Sequence, residues 1–272
     1  MTTNNDELPT NNHTMTQESL QIAVFQMDSI WENSVANRAR IDELLRKTDS
    51  KTDVVFLPEM FTTGFSVGNM ELSETMDGET VQWMKTRCRE HQLALCGSLI
   101  IRENDLYFNR LLFVQPSGEV QFYNKRHLFT MGGEESCFQH GTERLIVTYK
   151  GWRICPLICY DLRFPVWARN RNEYDILVYS ANWPKARNEV WNTLLKARAI
   201  ENQAYVVGTN RVGVDGNLIA YQGNSQLIDS KGNVLIAGNH VESIVSARFL
   251  YSELIKFRSD FPVLNDADPF SL

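Results

Sequence analysis

A single α/β domain, with helices covering the faces of β-sheet, is the fold class this chain predicts, and three observations carry that expectation. The 272 residues include 43% hydrophobic side chains, and a chain of this size buries roughly three quarters of its unfolded surface without needing disulfides or metal. Short apolar runs alternate with segments of helical period in the first half and again after Cys159, as expected of sheet covered by helices. No linker-like stretch or short repeat divides the chain. Two stacked sheets with helices outside would fit the strand count. So would one doubly wound sheet, and composition does not separate them.

The elements follow in order. Residues 21–27 (QIAVFQM) form a short apolar run that reads as a buried strand. Ser34 to Lys47 reads as a helix, with Ile41, Leu44 and Leu45 at helical spacing. Residues 53–57 (DVVFL) are a second buried strand, stopped by Pro58, which cannot donate to a ladder. Glu79 to His91 is helical, with Val81, Met84 and Cys88 on one face. Strands at 93–101 and 107–115 flank a polar turn, and Pro116-Ser117-Gly118 turns the chain into a strand at 119–123. Residues 124–141 have no clean period and read as a long loop, a feature that in compact domains is usually functional. Strands at 144–149 and 152–158 follow. A short helix starts near Pro165, a residue suited to a first helical turn. A strand at 175–180 and a helix at 188–203 lead to short strands at 204–209, 226–229, 234–237 and 243–247.

The composition excludes several functions. A net charge of −6 argues against a nucleic-acid binder, which carries a basic face. About the longest apolar run, residues 93–101, is far short of the ~18–20 residues of a membrane span. The five cysteines (Cys88, Cys96, Cys137, Cys155, Cys159) form no regular framework, so a reducing, cytoplasmic setting is expected. Residues 1–19 are polar, rich in Asn and Thr, and lack the apolar core of a secretory signal. They read as a disordered extension, with Met15 an alternative start, before a single domain at 20–272.

Three windows carry candidate chemistry. In Ile158-Cys159-Tyr160-Asp161 an apolar strand delivers a cysteine to its end, with a helix starting at about Pro165. A sharp strand-to-helix turn presents such a side chain outward beside free backbone N–H groups, which favour a thiolate and hold an oxyanion. The bland reading is a buried small hydrophobe. Glu59 directly follows a buried strand among apolar neighbours, where desolvation tunes a carboxyl toward general-base work. Capping or ion pairing is the alternative. Lys125 opens the long loop within Lys125-Arg126-His127. It is either part of a solvated cluster or turned inward to stabilise an anion near Cys159. His127 raises a rival, a Cys–His pair with imidazole as base. Cys155 and Cys159 lack a second Cys/His pair at zinc-like spacing, and no phosphate loop or dinucleotide fingerprint is present, so neither metal nor cofactor is expected.

Taken together and in this order, the windows Leu57-Pro58-Glu59-Met60-Phe61, Tyr123-Asn124-Lys125-Arg126-His127-Leu128-Phe129 and Ile158-Cys159-Tyr160-Asp161-Leu162-Arg163-Phe164-Pro165 resemble the nitrilase (carbon–nitrogen hydrolase) superfamily. Ser180-Ala181-Asn182-Trp183-Pro184 and the stretch from Lys196 to Gln203 add to the likeness, which runs from about Leu20 to Val263. The resemblance implies a four-layer α-β-β-α sandwich, assembled as a homodimer or larger homo-oligomer through outer helices. It implies Cys159 as nucleophile, Glu59 as general base, and Lys125 with the Tyr160 backbone N–H at the oxyanion. It also implies a second glutamate in the loop, for which Glu134 matches the spacing to Gly141 better than Glu135 does. His127 then becomes a loop or interface residue.

Cys-Tyr-Asp-Leu-Arg-Phe-Pro and Asn-Trp-Pro-x-x-Arg look most like the omega-amidase branch. That likeness implies a small-molecule substrate, a short 2-oxo acid amide such as 2-oxoglutaramate or 2-oxosuccinamate. Its carboxylate needs a cationic partner, for which Arg187 and Lys185 are candidates. Arg187 is equally suited to an ion pair at an interface. Trp183, Phe61, Phe65 and Phe129 are candidate pocket walls, while Asp161 and Arg163 are expected to shape the elbow. The alternatives are another enzyme of the superfamily (a nitrilase, an N-carbamoyl amine hydrolase or a general amidase) or a non-catalytic sensor of oxidants at Cys159.

Overall fold

A computed structural model describes residues 16–269. In chain order the elements are β1 (Ser19–Gln26), α1 (Ser34–Lys47), β2 (Val54–Phe56), α2 (Glu79–His91), β3 (Ala94–Glu103), β4 (Leu106–Val114), β5 (Val120–Asn124), β6 (Val147–Tyr149), β7 (Trp152–Ile158), α3 (Pro165–Ala168), β8 (Ile176–Ala181) and α4 (Asn188–Asn202). They continue with β9 (Tyr205–Asn210), β10 (Val212–Val214), β11 (Ala220–Gln222), β12 (Gln226–Ile228), β13 (Val234–Ala237), β14 (Ser243–Leu250) and α5 (Tyr251–Asp260).

Two six-stranded sheets form, in the orders β14-β1-β2-β3-β4-β5 and β13-β12-β9-β8-β7-β6, rather than one doubly wound sheet. Each has a parallel centre, β1-β2-β3 and β7-β8-β9, extended by antiparallel strands. The period of two along each central strand sorts the layers. Ile22, Val24, Val54 and Phe56 pack between the sheets against Ile154, Val178 and Val207. Ala23, Phe25, Val55 and Leu57 face the other way, onto Ile41, Leu45, Val81 and Met84 of α1 and α2. On the far side Trp191, Leu195 and Ala199 of α4 cover the second sheet. The result is an α-β-β-α sandwich. Strands buried on both faces need no polar alternation, which is why QIAVFQ and ILVYSA read as continuous apolar runs.

Several boundaries differ from the sequence reading. Residues 1–15, most of the expected disordered extension, lie outside the described residues. The end of that extension is ordered. The Gln17 N–H donates to the Lys150 carbonyl at 2.9 Å, the Trp152 indole donates to the Gln17 carbonyl, and Ser19 already belongs to β1. The strand expected at 144–149 shortens to β6. The hairpin of β10 and β11 and the helix α5 were not anticipated: the hairpin has only three residues a side, and α5 buries only Leu254. The loop at 124–141 holds two short 3-10 turns, Thr130–Gly132 and Glu134–Ser136. No helix among the described residues is long and apolar enough to cross a membrane.

Candidate active site

The sheets deliver their chemistry at strand ends. Glu59 lies just past β2, Lys125 directly after β5, Cys159 directly after β7, and Asn182 directly after β8. The carboxyl ends of parallel strands are where open α/β sheets bind ligands. At the β7 end the backbone turns sharply. Cys159 has φ +41°, a left-handed conformation that costs a non-glycine residue of order 1–3 kcal/mol and marks functional sites. A 3-10 turn from Cys159 to Arg163 follows before α3. Tyr160 sits in its first turn, so its N–H belongs to the donors a helix start leaves without an intrahelical acceptor.

Asp161 fixes this elbow. Its buried carboxylate accepts from the Ile158 N–H at 3.0 Å, the Tyr123 hydroxyl at 2.8 Å and the His127 N–H at 3.0 Å, and it pairs with His127 Nδ1 at 2.8 Å. His127 also stacks on Phe164, with ring centroids 3.8 Å apart. Its imidazole therefore ties the lysine loop to the elbow and is not paired with Cys159. The Cys–His reading has no geometric support, and His127 does more than sit in a loop.

Glu59, Lys125 and Glu134 form one fully buried cluster beside Cys159. The Lys125 ammonium donates to Glu59 Oε1 at 2.8 Å and to Glu134 Oε2 at 2.6 Å. The Asn182 N–H donates to Glu59 Oε2 at 3.1 Å, and the Asn182 side chain donates to the Glu59 carbonyl at 2.7 Å. The Cys159 sulfur lies 4.0 Å from the Asn182 carbonyl oxygen. Glu135, the other loop glutamate, is exposed and takes the Thr130 hydroxyl at 2.5 Å, so Glu134 is the one facing the lysine.

The electrostatics follow from this packing. Burial would lower the proton affinity of Lys125, but the negative charges of Glu134 and Glu59 together raise it, so the ammonium stays charged. Burial raises the Glu134 carboxyl, and Lys125 opposes that shift. Burial and then the charge of Glu59 push the Cys159 thiol well above its ordinary range, against the pull of Lys125. The thiolate expected from backbone donors alone is thus outweighed, and the resting sulfur keeps its proton.

A cleft of about 810 Å³ opens over Cys159. Of the wall residues expected, Phe65, Phe129, Trp183 and Arg187 line it, together with Tyr160 and Lys125. Phe61 does not. Met60 at φ +46° turns the chain so that Phe61 is fully buried in the helix layer beside Trp83, against Gly97, where a Cβ would stand 2.8 Å from its ring. Lys185 is exposed and outside the cleft. Arg163, expected only to shape the elbow, lines the cleft with its guanidinium 5.0 Å from the Trp183 ring centroid. In a turn of three residues, side chains at i and i+3 eclipse, so Arg163 follows Tyr160 to the same side. The Arg187 guanidinium lies over Phe129 at 5.4 Å. No Asp or Glu lines this cleft, and neither arginine has a carboxylate partner among the described residues. All five cysteines are free, and among the described residues no three His, Cys, Asp or Glu side chains converge as metal ligands.

Asn109 went unnoticed in the sequence. It lies in β4 with its side-chain amide donating to both Glu59 and Glu134. The available signal was a polar residue inside LYFNRLLFV, where an unpaired amide would be costly.

Two sheets packed face to face, with a cysteine held beside a buried carboxylate and ammonium at the strand ends, define a hydrolytic enzyme. The model of the family described as Carbon-nitrogen hydrolase matches residues 21–255, and the chain belongs to that family. It is 42% identical to the omega-amidase YafV of Escherichia coli strain K12 over 93% of this chain and 98% of that one. To a 2-oxoglutaramate amidase of Bacillus subtilis it is 32% identical, over 90% and 96% of the two chains. Among solved structures, XC1258 of Xanthomonas campestris, a CN-hydrolase superfamily protein with an arsenic adduct in its active site, superposes with a TM-score of 0.92. That match has 42% identity and covers 94% of this chain and 100% of that one.

Proposed function

We propose that this carbon–nitrogen hydrolase is a thiol-dependent omega-amidase that cleaves the terminal amide of short 2-oxo dicarboxylic acid monoamides, 2-oxoglutaramate foremost. The observation that carries the reading is the pair of arginines, Arg163 and Arg187, lining the cleft over Cys159 without a carboxylate partner among the described residues. Such a cleft favours an amide whose far end is anionic, because a guanidinium binds a carboxylate in a fixed, two-pronged geometry. The names of the relatives, omega-amidase and 2-oxoglutaramate amidase, support the same substrate class.

In the proposed mechanism Glu59 takes the thiol proton as Cys159 sulfur bonds to the amide carbon. The carbonyl electrons move onto oxygen, where Lys125 and the Tyr160 N–H receive the charge. The oxyanion collapses, the C–N bond breaks, and ammonia leaves with the proton from Glu59, leaving a thioester. Glu59 then takes a proton from water as its oxygen bonds to that carbon. Collapse of the second oxyanion breaks the C–S bond, and the sulfur recovers the proton. The raised thiol suits this scheme, since a protonated sulfur needs a base in contact with it.

Ammonia release from 2-oxoglutaramate by wild type, Cys159→Ala and Glu59→Gln, beside a nitrile and an N-carbamoyl amine, tests the proposal. Wild-type turnover of the amide is expected, with a loss of at least ~10²–10⁴-fold in either variant. Preference for the nitrile or the carbamoyl amine would overturn the substrate assignment. A Cys159→Ala variant retaining more than about a tenth of the rate would overturn the nucleophile.

We also propose self-association through the outer helices. Val166 of α3, Ile200 of α4, Ile255 of α5 and Phe261 are exposed apolar residues. Their elements are tied together by the bonds Arg169 to the Glu201 carbonyl and Gln203 to the Phe261 carbonyl. Clustered exposed apolar residues mark interaction surfaces.

A further inference from the structure

The hydrogen bonds around Lys125 close into a ring, and one member of that ring carries no charge. Glu59 Oε1 accepts from Lys125 at 2.8 Å and from Asn109 Nδ2 at 2.8 Å. Glu134 accepts from Lys125 at Oε2, 2.6 Å, and from Asn109 Nδ2 at Oε1, 3.0 Å. The Asn109 carbonyl also accepts the Lys125 N–H at 3.0 Å, so β4 fixes the lysine's backbone as well. Asn109 is fully buried. Its side-chain oxygen is buried too and has no hydrogen-bond partner among the described residues. An orphaned buried acceptor costs of order 1–3 kcal/mol. Flipping the amide would not relieve it, because the oxygen would then face two carboxylates. The orientation is therefore dictated by the carboxylates, at the expense of the amide's other half.

We propose that Asn109 is a positioning residue of the amidase reaction: its two amide N–H groups hold Glu59 and Glu134 around a single ammonium, so that the Glu59 carboxylate stands aimed at the proton that Cys159 must lose. This rests on the reading of Glu59 as the base. The charge count explains the residue type. Two carboxylates and one ammonium leave one net negative charge in a buried cluster, and arrival of the thiol proton neutralises it. A cation at position 109 would cancel that charge in advance. An aspartate would add a third carboxylate, and a leucine would leave both carboxylates short of a donor. Hydrogen bonds to the ionised form are what keep a buried carboxylate ionised. The charged and titratable groups facing the amide are Glu59, Lys125 and Glu134, with Cys159 reached through Glu59.

The test compares wild type with Asn109→Leu and with Asn109→Asp, which keeps the side chain's shape should leucine fail to fold. One readout is the pH dependence of kcat/KM on the amide. The other is the pH dependence of Cys159 alkylation by iodoacetamide, which needs no substrate and stands even if the amide assigned above is wrong. Both profiles should shift to higher pH by about one unit or more, a tenfold change in proton affinity. The kcat should fall ~10²-fold or more with KM within about threefold, the mark of an effect on the reacting state. Adding Glu134→Gln to Asn109→Leu should cost less than the product of the two single losses, because the two residues act in one network. Unshifted profiles in both variants, or a loss confined to KM, or strictly multiplicative losses, would overturn the proposal and leave Asn109 as core packing alone.

Discussion

Replacing Lys125 by methionine should destabilise the fold in a way that depends on pH. The ammonium is fully buried and lies 2.8 and 2.6 Å from two carboxylates that are equally buried. Removing one partner of such an arrangement costs ~3–5 kcal/mol, because the remaining charges lose their compensation. For a chain of this size each kcal/mol lowers Tm by roughly 2–4 °C, so a fall of ~6–20 °C is expected near neutral pH. The sign with pH follows from proton binding. Without the ammonium, two carboxylates sharing one Asn109 amide cannot both stay ionised, so the folded variant retains a proton that the unfolded chain releases above about pH 4.3. Stability then falls with rising pH, by ~1.4 kcal/mol for each unit until that proton is lost.

Wild type behaves differently over the same range. The raised Lys125 contributes stability that is complete below the unfolded lysine value of about 10.4 and is lost only as pH rises through its folded value. Its contribution is therefore flat between about pH 5 and pH 7. The raised Glu134 gives wild type a decline of its own from about pH 4.3 upward, opposed by Lys125, so the variant must decline more steeply. Thermal unfolding followed by circular dichroism at several pH values between these limits gives the comparison. A gap in Tm between wild type and variant that is constant with pH, or smaller than about 2 °C throughout, would refute the reasoning.

Arg163→Ala and Arg187→Ala should each raise KM for 2-oxoglutaramate ~10–100-fold, from the ~1.5–3 kcal/mol of a charged hydrogen bond, with kcat little changed. A neutral amide of similar length should show no such penalty, and equal losses on both substrates would remove the arginines from substrate recognition. Ile200→Glu, on the exposed apolar side of α4, should lower the mass seen in sedimentation to that of a single chain. A wild-type chain already sedimenting alone would end the proposal of self-association.

Sequence legibility followed burial. Strands between the sheets were visible because both of their faces are apolar, and α1, α2 and α4 because they bury Ile41 and Leu45, Val81 and Met84, Trp191 and Leu195. The hairpin of β10 and β11 and the helix α5 bury too little to leave a period. In the site, Glu59 and Cys159 stood out because each follows a buried apolar strand, Lys125 because it opens the long loop after a strand of mixed polarity, and their order along the chain resembled one family. What the chain could not reveal was side-chain direction. Phe61 is two residues from Glu59, yet the left-handed Met60 sends it into the helix layer, while Arg163 swings into the cleft because a 3-10 turn eclipses it with Tyr160. Asn109 lies 50 residues from Glu59 in sequence and 2.8 Å from it in space. Only the register of β4 brings them together.

The proton inventory of the site also bears on why the proposed mechanism gives this cysteine a carboxylate base. A thiolate stabilised in advance by an imidazolium is less nucleophilic per ion as its proton affinity falls. Here the geometry runs the other way. Burial and the charge of Glu59 keep the proton on sulfur at rest, while Lys125 pulls against them without prevailing. On the proposed mechanism a basic, reactive sulfur is released only as it bonds to carbon, because Glu59 accepts the proton in the same step. Lys125 is then left with developing negative charge to meet on the substrate oxygen, and the cluster itself passes from one net negative charge to none. On that mechanism the ammonium serves the resting carboxylates and the transition state in turn, and a lysine enclosed by two glutamates remains useful to catalysis.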